Sequence, residues 1–121
     1  MRSRLRKLHI DDLEYTWTAQ IRAAPGPDGR QHRCIRIRVW GAGRTSCALQ
    51  ADLIVRRQRA TAEDEYPYPG AADVRALIEH GLRAGWIPQS RGGTFQVTSA
   101  AGLALPAFVV TDLLWAGEQR P

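Results

Sequence analysis

The chain has 121 residues, 44% of them apolar and 24% charged, and a formal net charge of +5. That is the composition of one soluble folded domain with a modest core rather than of a disordered chain. Residues 1–60 carry thirteen basic and five acidic side chains, +8, whereas residues 61–121 carry four and seven, −3, an asymmetry that steers the first half toward an acidic surface or a polyanion.

Lys7 is the only lysine among seventeen basic residues, a bias that a GC-rich coding sequence explains as well as guanidinium chemistry does. The basic opening "MRSRLRKLHIDDLEY" has no apolar run behind it, so no secretory signal is read there. The longest apolar run, 103–110, contains Pro106 and is far shorter than the ~20 residues of a spanning helix. A cytoplasmic protein with no membrane attachment is expected.

In chain order, "LHI", Asp11-Asp12 and "LEYTWTAQIR" predict a short strand, a tight turn and a second strand. On the second strand Tyr15, Trp17, Ala19 and Ile21 share one face, and Thr16, Thr18, Gln20 and Arg22 the other. "APGPDGR" is a turn cluster, followed by a third strand from about Arg33 to Trp40 and a fourth from about Ser46 to Val55. If "GAGR" closes a hairpin that pairs Val39 with Cys47, Ile37 opposes Leu49 and Ile35 opposes Ala51. One face is then continuously apolar. Cys34 and Cys47 point to opposite faces, which rules out a bridge between them, and both are expected as reduced, inert thiols.

Residues 57–70 form a polar, proline-bearing connector, and Glu63-Asp64-Glu65 within it is read as solvated rather than as a cation site. The spacing of Val74, Leu77, Ile78, Gly81 and Leu82 predicts a helix over 71–84. Asp73 lies in its first turn, and Arg75, Glu79 and Arg83 are spaced to pair on its outer side. Gly85 is placed to end it in the left-handed conformation, with Trp86 folding back onto Leu82 and Pro88 preventing continuation. Gly81 on the buried stripe predicts a close approach to the sheet. "RGGTFQVTS" reads as a turn into a fifth strand with Phe95 and Val97, and "LPAFVVTDLLW" fits either a strand or a short helix.

The expected architecture is a single α+β domain over 1–121: a β-meander (1–56), the connector (57–70), the helix (71–84) and a C-terminal strand or segment (94–121). An antiparallel sheet of four to five strands carries one main helix on one face.

A search for chemistry returns none. "GAGRTS" lacks the lysine of a phosphate loop and lies between two strands, so it is a hairpin turn. His9, His32 and His80 have no metal-ligand spacing with one another or with Cys34 and Cys47. Ser90 and Ser99 lie in no nucleophile elbow, and the carboxylate pair Asp11-Asp12 occupies a turn. A protein without catalytic residues, metal or cofactor is expected.

"YTW" at 15–17, "IRVW" at 37–40, "YPYPGAADVRALIEHGLRAGWIP" at 66–88 and "LPAFVVTD" at 105–112 resemble a family of small bacterial proteins of GC-rich genomes whose activity is not known. The resemblance spans most of the chain and implies a fold, with no binding or catalytic residues to carry over.

What remains is the arginine row. Arg36, Arg38 and Trp40 share the face opposite the apolar one, with Gln50 and Asp52 on the facing strand, Arg22 joining from a neighbouring strand and Arg44 from the turn. A one-sided sheet needs a polar outer face, which accounts for the alternation by itself. An indole among arginines also marks protein interfaces and stacking platforms for single-stranded nucleic acid. The lead expectation is a non-enzymatic protein-binding accessory or immunity-type module using Arg22, Arg36, Arg38, Trp40 and Arg44. The alternative is a nucleic-acid-binding protein using the same basic face. A third reading is a small-molecule pocket between the helix and the C-terminal segment.

Overall fold

A computed structural model describes residues 5–56 and 68–118. The chain is an α+β protein whose six described strands form one sheet. β1 (Arg6–Ile10), β2 (Leu13–Pro25), β3 (Gln31–Trp40) and β4 (Ala48–Val55) run antiparallel as consecutive neighbours, the expected meander. Asp11 and Asp12 close the first hairpin with φ of 49° and 68°. A two-residue turn whose twist matches the strands needs positive φ at both positions, and aspartate tolerates it better than most residues.

The β3–β4 register differs by two residues from the sequence expectation: Val39 pairs with Leu49, Ile37 with Ala51 and Ile35 with Leu53. The longer loop is pinned by a distant segment, with Cys47 N donating to Ser90 O (2.7 Å) and Gly92 N to Thr45 O (2.8 Å). An even shift leaves every side chain on its expected face.

The second half departs from a meander. After β4 the chain passes through residues 57–67, which carry Glu63-Asp64-Glu65 and lie outside the described residues, and then through α1 (Ala71–Ala84). A 14-residue helix spans about 21 Å, enough to return the chain alongside the sheet. β5 (Thr94–Val97) therefore pairs with the first half of β4 in parallel. A 3-10 turn (Ser99–Ala101) follows, and β6 (Phe108–Val110) continues along the same edge of β4, antiparallel to Leu53–Val55. The segment that fitted strand or helix is both, because β6 gives way to α2 (Leu113–Glu118). The change falls where Val109 and Val110 yield to Leu113 and Leu114, and Asp112 between them accepts from Ser99 N (2.9 Å) and Ser99 Oγ (2.6 Å).

The main core lies between the sheet and α1. Ile35, Ile37, Val39, Leu49, Ala51 and Leu53 are enclosed against Val74, Leu77 and Ile78, with Trp17, Leu105 and Phe108 completing the cluster. Gly70 N donates to Asp73 Oδ2 (3.0 Å), which caps the helix, and Gly85 ends it at φ 110°. A Cβ on Gly81 would meet Leu49 Cδ1 at 2.8 Å and Trp86 Cε3 at 3.3 Å, so the close approach is real. Leu82 is the exception to the expected stripe: it is exposed, and Trp86 turns instead over Gly81 toward Tyr15 (ring centroids 6.1 Å apart) and donates from Nε1 to Cys47 O (3.0 Å).

Candidate functional site: a guanidinium row on the second face

Alternation along β2, β3 and β4 sends every second side chain away from α1. The pairs Thr18↔Arg38 and Gln20↔Arg36, then Arg36↔Asp52 and Arg38↔Gln50, lay these residues out as a polar patch, and Arg22 lies beside it opposite Cys34. Trp40 lies at one end of β3 opposite Thr16, and Arg44 reaches the same end from the β3–β4 loop. All five residues singled out in the sequence share this second face.

They are not equally open, and two expectations need correction. Arg36 points away from the main core but not into water: its side chain is 8% exposed and Asp52 is fully enclosed. Arg36 Nε donates to Asp52 Oδ1 (2.8 Å) and Nη2 to Asp52 Oδ2 (3.1 Å). Its outer edge donates to Glu118 on α2, Nη1 to Oε2 (2.7 Å) and Nη2 to Oε1 (3.0 Å). One guanidinium is thus forked twice, the strongest form of such a contact. The paired carboxylates hold Arg36 more firmly protonated than usual, and Arg36 in turn holds the Glu118 carboxyl below its ordinary range.

Trp40 is the second correction. It is only 5% exposed, not an open indole, because guanidinium groups lie over it: Arg44 at 4.4 Å and Arg38 at 5.5 Å from the ring centroid. Arg38 itself is half-buried. Its Nη2 donates only a long hydrogen bond to Thr94 Oγ1 (3.4 Å), and its enclosed Nε has no acceptor among the described residues. Burial, then the like charges of Arg36 and Arg44, push its pKa down. Arg22 is exposed and donates to Gln20 Oε1 at 3.3–3.4 Å.

What covers the other end of this face was not anticipated. Leu114 of α2 seats on Ala24 and Cys34, with Ile54 and Leu113 alongside, a second small cluster behind the sheet. The signal was available: Ala24, Cys34 and Ile54 fall on the polar face by alternation yet are apolar, which marks a covered patch. Glu118 carried no local signal at all. Enclosure and the nearby Asp52 raise the Cys34 thiol, which makes it a poor nucleophile.

Between the 25–27 turn and the β6–α2 segment lies a cleft of about 540 Å3, walled by Pro25, Ile54, Val110 and Leu113 among others. It borders α2. Among the described residues no group of histidine, cysteine and carboxylate side chains has metal-binding proximity, and no helix is long and apolar enough to cross a membrane. His9 pairs with Glu14 (3.2 Å) and His32 with Asp28 (3.1 Å), both on the surface. No family model matches the chain, and no curated protein or solved structure matches it either.

Proposed function

We propose that this chain is a non-enzymatic, cytoplasmic protein-binding module, an accessory or immunity-type subunit, that takes an acidic segment of its partner on Arg22, Arg38 and Arg44 above Trp40. One observation carries the reading. Four guanidinium groups share the second face, and both carboxylates among them are committed to Arg36, so no carboxylate among the described residues pairs with the other three. Arg38 is partly desolvated beside two like charges, its Nη2 makes only a long hydrogen bond (3.4 Å) among the described residues, and an incoming carboxylate at that edge relieves the repulsion. Arg44 stacked on Trp40 is an arginine held in place before the partner arrives, which lowers the entropy lost on docking.

The buried indole favours protein over nucleic acid as partner. A base-stacking platform needs an uncovered ring, and guanidinium groups already lie over Trp40. Fluorescence anisotropy with a labelled oligoglutamate peptide and a labelled oligothymidylate, each at low and moderate salt, separates the two. The expected result is saturable binding of the peptide that weakens with salt and is lost when Arg38→Ala and Arg44→Ala are combined. Tighter, more steeply salt-dependent binding of the oligonucleotide would transfer the function to nucleic acid, and no binding of either probe at low salt would remove the arginine face as an interface.

A further inference from the structure

The second face has an occupant of its own. Glu118 reaches Arg36 from outside the sheet, in the forked geometry that a partner's carboxylate would adopt, at 2.7 and 3.0 Å. Asp52, its counterpart beneath, is fully enclosed, whereas the Glu118 side chain is 42% exposed. The inner carboxylate is built in. The outer one stands in water and is open to exchange.

Building on the acidic-partner reading, we infer that α2 is a displaceable occupant of the arginine row, with Glu118 holding the place that an acidic side chain of the docking partner takes. The element that carries Glu118 is weakly held. α2 has six residues, too few for a helix to persist without tertiary support. Its one buried residue is Leu114, Leu113 and Trp115 are half-buried, and Ala116, Gly117 and Glu118 are exposed. Along its flank runs the 540 Å3 cleft, lined in part by Leu113, Ala116 and Gly117, so one side of α2 lacks close packing. A partner carboxylate arriving at Arg38 enters next to Glu118, which already feels the charges of Arg36, Arg22 and Arg38. Two carboxylates drawing on the same guanidinium groups repel, and the weakly anchored one leaves.

Cys34 reports the event. It is 0% exposed, clustered with Leu114 of α2, so its reaction with a thiol reagent requires α2 to lift. Replacing Cys47, the other cysteine, by serine leaves Cys34 as the sole thiol. In that chain, saturating oligoglutamate should speed Cys34 modification by about tenfold, within the range of ordinary coupling between sites. Glu118→Ala should react faster without peptide and bind the peptide more tightly, each by about threefold to fivefold, the factor that loss of a partly exposed contact supplies, because the competing carboxylate is gone. Unchanged far-ultraviolet circular dichroism distinguishes lifting of α2 from general unfolding, and Glu118→Gln, which keeps the side chain's size, serves if Glu118→Ala does not fold.

Peptide that binds while Cys34 stays protected would overturn the displacement and leave the docking surface standing. Slow Cys34 reaction in both Glu118 variants would likewise overturn it, since α2 would then be held by something other than this contact. Absence of peptide binding to every variant, even with fast Cys34 reaction, would defeat the acidic-partner reading itself, and the displacement with it.

Discussion

Under α1 the sheet presents Ile35, Ile37, Val39, Leu49 and Leu53; one residue along each strand, on the opposite face, it presents Arg36, Asp52, Gln50 and Trp40, and all nine are buried. The first face is closed by a helix of 14 residues, whereas a helix of six covers only one end of the second. Apolar burial under α1 stabilises by about 1.5–3 kcal/mol per large side chain and tolerates imprecise geometry. A buried ion pair returns little net stability after desolvation and fixes geometry instead. The two faces thus divide the work: one holds the fold together, the other holds a set of charges in register.

That division can be broken most severely at Arg36. Arg36→Ala strands Asp52, fully enclosed, without its partner, and should cost about 3–5 kcal/mol in chemical denaturation. Replacing Arg36 and Asp52 together by methionine and leucine should restore most of that stability, to within about 1–2 kcal/mol of the native chain, since neither buried charge then lacks a partner; a double variant as unstable as Arg36→Ala would show that the pair is a true source of stability.

On the α1 face the sharpest site is Gly81. Gly81→Leu, driven against Leu49 and Trp86, should destabilise by about 1–3 kcal/mol, while Gly81→Ala should lose less because alanine's helix preference offsets part of the clash. Unfolding midpoints of the two variants would check the order. Glu118→Gln is expected to cost less than about 1 kcal/mol, because its side chain stands partly in solvent. Its pH dependence has a defined sign. Arg36 holds the Glu118 carboxyl below its ordinary value of 4.5, so its contribution is complete above that value and disappears as the pH falls through the lowered one. The difference between native chain and Glu118→Gln should therefore be full at neutral pH and vanish in strong acid. Smallest of all, Arg75→Ala removes an exposed helix pair with Glu79 (3.1 Å) and should shift stability by only about 0.3–0.5 kcal/mol.

The α1 face was legible in the sequence because its information is local. Helical spacing from Val74 to Gly81, Asp73 in the first turn, the Gly85 stop and the alternation of β3 and β4 each depend on residues a few positions apart. Leu82 escaped that logic because Trp86, arriving from beyond the helix, covers Gly81 in its stead. The α2 face depends on contacts that no local pattern records. Arg36 meets Asp52 across 16 residues and Glu118 across 82. Trp40 loses its exposure to Arg44, which the β3–β4 loop returns over the ring, and the loop's length is set by its bonds to Ser90 and Gly92. Alternation correctly put the arginines on the second face; which were free and which were already paired required the whole chain.

In the proposed function Arg38 and Arg44 are charges held ready for a partner's carboxylates. Titrating labelled oligoglutamate into the native chain and into the chain carrying Arg38→Ala and Arg44→Ala measures this most directly. A saturable, salt-sensitive affinity that falls by about tenfold or more in the double variant, with Arg75→Ala as an unaffected control, is the predicted result. Equal affinity in all three chains would place the peptide elsewhere, and a loss graded with the number of charges removed, Arg75→Ala included, would show a response to net charge alone; either result would contradict that role.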